Sequence, residues 1–197
     1  MGSNNITDIS SLSTLSGLEF LDLYSNQIDD ISAITSMTGL TTLYLHNNKI
    51  SNADSLANLP ILQYLILDGN YITDSTPIGN ITSLTELFYR NNGVTSIAGF
   101  SQLTQLTSLY LNNNQISNVS SVGSLVLLKQ IDLRNNLVSG AGVGNIDALS
   151  SLVNVSQIWL SGNANISCTE LTTLVDALGP AVIDLGLPQQ GVNCSAP

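Results

Sequence analysis

His46 is the only histidine in the 197 residues, and an imidazole beside a hydroxyl and a carboxylate is the minimum set for nucleophilic hydrolysis. Tyr24 and Asp68 stand 22 residues to either side of it. Ser25 is the candidate nucleophile, but its place at a turn edge directs it aside from the imidazole. The sequence holds no nucleophile elbow, phosphate loop or HExxH motif. The glycine-rich stretch SGAGVGN after Val138 lacks the lysine of a phosphate cradle and reads as a bulging insertion. Cys168 and Cys194 are the only cysteines, without metal-ligand spacing and with the histidine far away. No enzyme, metal or cofactor is expected.

The elements that would position these groups are set by asparagine. Asn4, Asn26, Asn48, Asn70, Asn92, Asn114 and Asn136 recur at a constant step of 22 residues, and Asn163 continues the series after five extra residues. Around them the chain reads LEFLDLYSNQI, LTTLYLHNNKI, LQYLILDGNYI, LTELFYRNNGV, LTSLYLNNNQI and LKQIDLRNNLV. A fixed period of this length marks a solenoid. In each LxL the two apolar residues face one side of a short strand and the residue between faces the other. Apolar pairs three apart, such as Leu12/Leu15, Ile34/Met37, Leu56/Leu59, Ile78/Ile81, Phe100/Leu103, Val122/Leu125 and Leu149/Leu152, predict tight 3₁₀ turns on the return path. Asn26, Asn48, Asn70, Asn92, Asn114, Asn136 and Asn163 are expected to form a structural ladder, each amide bonding backbone of adjacent coils that would otherwise be buried unpaired.

The pattern LxxLxLxxNxI resembles the leucine-rich repeat, and its length resembles the bacterial internalin-like class. The resemblance implies an α/β fold: a right-handed leucine-rich-repeat solenoid with a parallel concave β-sheet, convex 3₁₀ and loop segments, and a small C-terminal helical cap. About seven units fill a repeat domain over 1–163, the first truncated, and the cap occupies 164–197. Internalin-like proteins present the concave sheet to a partner protein at a cell surface. Partner binding carries over; host-cell invasion does not, because their N-terminal helical cap, following immunoglobulin-like domain and wall-sorting motif have no counterpart here.

The outward positions of the sheet are the third, fifth and seventh of each unit. They display seven of the ten aromatics. The candidate ligand-binding residues are Phe20, Tyr24, Tyr44, His46, Tyr64, Ile66, Phe88, Arg90, Tyr110, Arg134 and Trp159. Tyr44, Ile66, Phe88 and Tyr110 form a stripe about 14 Å long at strand spacing, with Asp22 and Asp132 expected to bracket it as a polar rim. Rings and guanidiniums of this kind carry the energy of protein interfaces. Cross-strand packing alone is the competing explanation. Asp22 and Asp132, about 24 Å apart, are too distant to cooperate in glycoside cleavage. A protein ligand is therefore expected, with a glycan stacked on the rings, or a spacer role in a larger adhesin, as alternatives.

The formal charge is −10, with Lys49, Arg90, Lys129 and Arg134 the only permanent cations. Four separated cations build no basic stripe, which argues against nucleic acid and anionic membrane surfaces as partners. No apolar run reaches the length of a membrane span. Asp8, Asp29, Asp30, Asp54 and Asp74 fall where the chain enters the convex turns, and there carboxylates accept local N–H bonds.

At the N-terminus Met1-Gly2-Ser3 replaces the strand that should precede Asn4. The expectation is an uncapped apolar end, open to self-association, with a signal peptide and further repeats or a cap encoded upstream. At the other end Ser167 and Glu170 predict a capping box, and Leu171, Leu174, Val175 and Leu178 the apolar face of a helix over about 168–178. AVIDLGL is a candidate last strand. A bridge between Cys168 and Cys194 would add about 3.5 kcal/mol in the chain-entropy model, two unpaired thiols being the alternative. The bridge implies a secreted or cell-surface protein.

Overall fold

The computed structural model describes residues 1–139, 145–164, 166–180 and 182–184. Cys194 and most of SGAGVGN lie outside the described residues. Seven strands of three residues each, β1 (Phe20–Asp22), β2 (Thr42–Tyr44), β3 (Tyr64–Ile66), β4 (Glu86–Phe88), β5 (Ser108–Tyr110), β6 (Gln130–Asp132) and β7 (Gln157–Trp159), are followed by a two-residue strand β8 (Ile183–Asp184). All eight pair in parallel in chain order. The register is the repeat made spatial: Leu21, Leu43, Leu65, Leu87, Leu109, Ile131 and Ile158 stand opposite one another strand by strand. A slip of one residue would turn this buried column to solvent, so the apolar alternation holds the register.

Each coil returns through a tight turn. Five-residue 3₁₀ turns span Ser10–Thr14, Ser32–Ser36, Asp54–Asn58, Ala98–Gln102 and Ser120–Ser124, and a six-residue one spans Ile146–Ser151. The second apolar residue of each pair closes its turn, as where Leu59 N–H donates to the Leu56 carbonyl and Leu103 N–H to Phe100. One coil departs from the predicted 3₁₀ geometry. Thr76–Gly79 is a single α-helical turn, α1, with Pro77 in its first positions. It packs so closely on the next coil that a Cβ at Gly79 would lie 2.9 Å from the Gly99 carbonyl oxygen.

Side chains entering each turn supply the caps. Asp8, Asp30, Asn52, Asp74 and Asn118 each accept the N–H two residues on, at 2.7–2.8 Å, and Ser96 does so through its hydroxyl at 3.3 Å. These local bonds hold the Asp8 and Asp74 carboxyls below the ordinary value of 3.8. The carboxylates are turn-forming groups here, as the sequence pattern predicts. Among the described residues Asp29 and Asp54 accept no such N–H, and Asp54 accepts from the Asn52 side-chain amide at 3.1 Å instead.

The core is one continuous column from Ile9 to Leu174. The predicted apolar pairs are buried with one exception. Leu12 is only half-buried and Leu15 is 41% exposed, both in the first described coil. With Met1, Leu18, Phe20, Leu21 and Met37 they line an apolar groove of about 240 Å³ at this end. At the other end α2 (Cys168–Leu178) opens with the predicted capping box: Ser167 accepts from the Glu170 N–H, and Glu170 accepts from the Ser167 N–H. Leu171 and Leu174 seal the last coil, and β8 adds the final strand. Cys168 begins α2 and is not a free thiol.

Candidate functional site: the outer face of the sheet

The asparagine ladder lies at one border of this face. Asn48 donates to the carbonyls of Leu45 in its own coil and Leu23 in the coil before, at 2.9 and 3.0 Å, and accepts the Ile28 N–H at 3.1 Å. Asn70, Asn114 and Asn136 repeat the same three bonds. Asn26 donates to Leu23 and Met1 and accepts from Ile6. Asn92, half-buried, donates to Leu67 and Arg90 and accepts from Ile72. Asn163 reaches Leu133, Leu160 and Val138 across the insertion. A buried amide costs little when all its groups are paired, and here it pairs backbone groups that strand pairing leaves over.

The residue before each ladder asparagine takes left-handed backbone: Ser25, Asn47, Asn91, Asn113 and Asn135 have φ between 51° and 59°, and Gly69 and Gly162 take 66° and 79°. Asparagine and glycine tolerate that region better than other residues. A Cβ at Gly69 would also sit 2.6 Å from Asn47 Oδ1. Asn135, Asn113 and Asn91 link their amides at 2.7 and 2.8 Å, making a second, exposed ladder. The sequence reading missed it, although the 22-residue step is the same one residue earlier. It also missed Asn145, a buried amide at the end of the insertion that accepts the Val119 N–H at 2.7 Å and donates to Ser117 and Ser139.

Beside this border lie all eleven predicted contact residues. Phe20 and Arg134 are exposed, and Tyr24, Tyr44, His46, Tyr64, Ile66, Phe88, Arg90, Tyr110 and Trp159 are half-buried. Three aromatics expected elsewhere are elsewhere: Tyr89 and Phe100 are in the core and Tyr71 is 67% exposed at a turn. The Tyr89 hydroxyl finds no partner among the described residues, and burial pushes its pKa far up.

The rings on the face touch in one unbroken series. Phe20 meets Tyr44 edge-on at 5.3 Å, Tyr44 meets Tyr64 at 5.6 Å, Tyr64 meets Phe88 at 5.3 Å, Phe88 stacks on Tyr110 at 4.7 Å, and Tyr110 reaches Trp159 at 6.4 Å. Tyr24 and His46 stack beside the row at 5.0 Å. The Arg90 guanidinium lies over Tyr110 and Phe88, 4.5 and 5.1 Å from the ring centres, and pairs with Asp68 at 3.4 Å. Burial raises the Asp68 pKa, against the opposing pull of the Arg90 N–H, the Arg90 charge and His46. Arg134 bonds Asp132 through Nε and Nη2, at 2.6 Å for the closest contact, and lies 5.8 Å from the Trp159 ring centre.

One expectation about the face is corrected. Asp132 was expected to bound the aromatic stripe as an exposed rim, but it is 2% exposed. In register it lies between Tyr110 and Trp159, whose rings meet across its strand while Arg134 covers its carboxylate. The ring series thus spans β1 to β7, where the expected stripe spanned β2 to β5.

The catalytic groupings weighed at the outset do not assemble among the described residues. The Ser25 hydroxyl accepts from Asn47 Nδ2 at 3.4 Å, and His46 Nδ1 is buried without a partner. No group of three or more His, Cys, Asp or Glu side chains able to hold a metal ion occurs among them, and no helix is long and apolar enough to cross a membrane.

The leucine-rich-repeat family model of two copies matches residues 1–36 and 82–124, and a second leucine-rich-repeat model matches 29–72. No curated protein sequence matches the chain. Among solved structures, an internalin (inlF) from Listeria monocytogenes superposes with a TM-score of 0.82 at 25% identity, covering 94% of this chain and 52% of its own. Internalin C2 (inlC2) of the same organism superposes with a TM-score of 0.82 at 30% identity, covering 92% of this chain and 77% of its own. A leucine-rich-repeat protein from Leptospira interrogans shares the fold, with a TM-score of 0.77 at 23% identity over 91% of this chain and 52% of its own. The chain thus spans about half the length of the first of these relatives. The repeat phase, the single parallel sheet, the amide ladder and these likenesses agree: the chain belongs to the leucine-rich-repeat family, in its internalin-like class.

Proposed function

We propose that this chain is a non-catalytic binding module that takes a protein ligand on the outer, concave face of its sheet. The observation that carries the reading is the continuous row of rings from Phe20 to Trp159 on one face. Rings already packed on one another present a rigid apolar surface, so little side-chain entropy is lost when a partner covers it. Aromatic and arginine side chains of this kind dominate protein interfaces. The binding face is built from Phe20, Tyr24, Tyr44, His46, Tyr64, Ile66, Phe88, Arg90, Tyr110, Arg134 and Trp159. It belongs to a repeat domain over 1–163, closed by a cap over 164–197. Likeness to internalins and two cysteines confined to the cap support a secreted or cell-surface protein with a Cys168–Cys194 bridge.

The test is capture of partner proteins on the immobilised chain, with and without Phe88→Thr and Tyr110→Thr together. A partner retained by the native chain should be lost from the double variant, while circular dichroism shows the variant still folded. Equal retention by both, or binding that grows with oligosaccharide length on a glycan array and depends on Trp159, would reject a protein ligand.

A further inference from the structure

The charge left uncommitted on the sheet face is negative. Both of its arginines are engaged within the face, Arg90 with Asp68 and the rings of Phe88 and Tyr110, Arg134 with Asp132 and Trp159. Two further carboxylates of the display, Asp22 and Glu86, form no ion pair among the described residues. In register Asp22 stands beside Tyr44, and Glu86 beside Tyr64. The two tyrosine rings are half-buried, 5.6 Å apart and inclined at 59°. A pair of ring faces is thus flanked on both sides by a carboxylate without a counter-charge. The Glu86 charge reaches the ring beside it: after burial, it is the largest cause holding the Tyr64 hydroxyl above its ordinary pKa.

We propose that the segment received by this face is cationic, a stretch of partner protein presenting lysine or arginine side chains, with one cation seated over the Tyr44–Tyr64 pair and balanced by Asp22 and Glu86. The inference rests on the reading of the sheet face as a binding surface and adds the partner's chemistry to it. A cation over an aromatic ring is attracted by the ring quadrupole, and more strongly where water is excluded. The flanking carboxylates supply charge complementarity, which raises on-rate and rejects partners of the same sign. An acidic segment would meet two carboxylates without a counter-charge, one of them bonded only to the Tyr24 N–H, and two guanidiniums already in use. A chain of net charge −10 also draws a basic partner from a distance.

The experiment uses the full chain and three fluorescent synthetic peptides of equal length, identical except for Lys, Gln or Glu at alternate positions. Anisotropy titrations at low and physiological salt should show tightest binding for the lysine peptide, weakened by salt. Asp22→Asn with Glu86→Gln should weaken that binding by about five- to twentyfold. Asp29→Asn with Asp176→Asn removes the same net charge at exposed sites off the face and should change it by less than about twofold. Equal affinity for the lysine and glutamine peptides overturns the proposal. So does an equal loss in the two double variants, which marks attraction to overall charge alone. If Phe88→Thr with Tyr110→Thr abolishes capture of a natural partner but the lysine peptide gains nothing over glutamine, the binding face stands and its cationic specificity falls.

Discussion

At the scale of single residues, asparagine and tyrosine divide the labour of the repeat. Each ladder asparagine bonds three backbone groups, an N–H of the preceding coil that it pairs alone and carbonyls such as those of Leu23, Leu45 and Leu67 that two successive asparagines share. In Asn70→Ala the Ile50 N–H loses its partner, while the Leu45 and Leu67 carbonyls each lose one of two amide donors and keep the other, from Asn48 and Asn92. Unpaired buried groups cost about 1–3 kcal/mol each when water cannot reach them. The expected loss is about 1–3 kcal/mol, that of one unpaired buried N–H, read as a fall in urea midpoint at unchanged slope. Tyr89 shows that the inner column tolerates a larger side chain, and the preceding coil carries Ser75 where most coils carry isoleucine or valine. The face rings cannot be weighed in this way, because each both packs on its neighbours and remains half open to solvent.

At the scale of elements, the turns carry the pH response. Asp8 and Asp74 have folded pKa values below their ordinary one, so their capping contribution is complete above it and is lost as pH falls through the lowered value. Asp68 works the other way: burial raises its pKa, so its charged form costs stability as pH rises through that raised value. Asn52 and Asn118 already cap their turns as amides. Asp74→Asn should therefore keep neutral-pH stability nearly unchanged and flatten the loss on the acid side, measured as urea midpoints at neutral pH and below 3.8.

Much at this scale was legible in the sequence because periodicity acts through local rules. LxL alternation set the strands, three-residue spacing set the turns, and Ser167 with Glu170 marked the α2 start. What escaped depended on neighbours the period does not encode. Pro77 and the Gly79–Gly99 approach converted one turn to α-helix. The fate of Asp132 depended on rings from the strands on either side and on an arginine two residues along its own coil.

At the scale of the whole molecule, contacts run between adjacent coils, and stability should behave as a chain of nearest-neighbour terms. Leu87 and Leu109 face each other in register, so truncating both to alanine should depart from additivity by about 0.5 kcal/mol or more. Leu43 and Ile131 stand four strands apart, and their alanine variants should sum to within about 0.5 kcal/mol. Chemical denaturation of single and double variants decides it. Which partner the face receives was not legible in the repeat. Phase orients a side chain inward or outward, whereas charge left over on the face emerges only after the internal ion pairs are known.

The amides of the inner ladder all reach back toward the preceding coil, never forward. A growing chain on the ribosome therefore leaves every newly made coil unfinished. The N–H of Ile28 must wait for Asn48 to emerge, and that of Val138 for Asn163. Maturation is bound to proceed with a lag of one coil behind synthesis, and an arrested nascent chain carries an open final turn wherever translation stops.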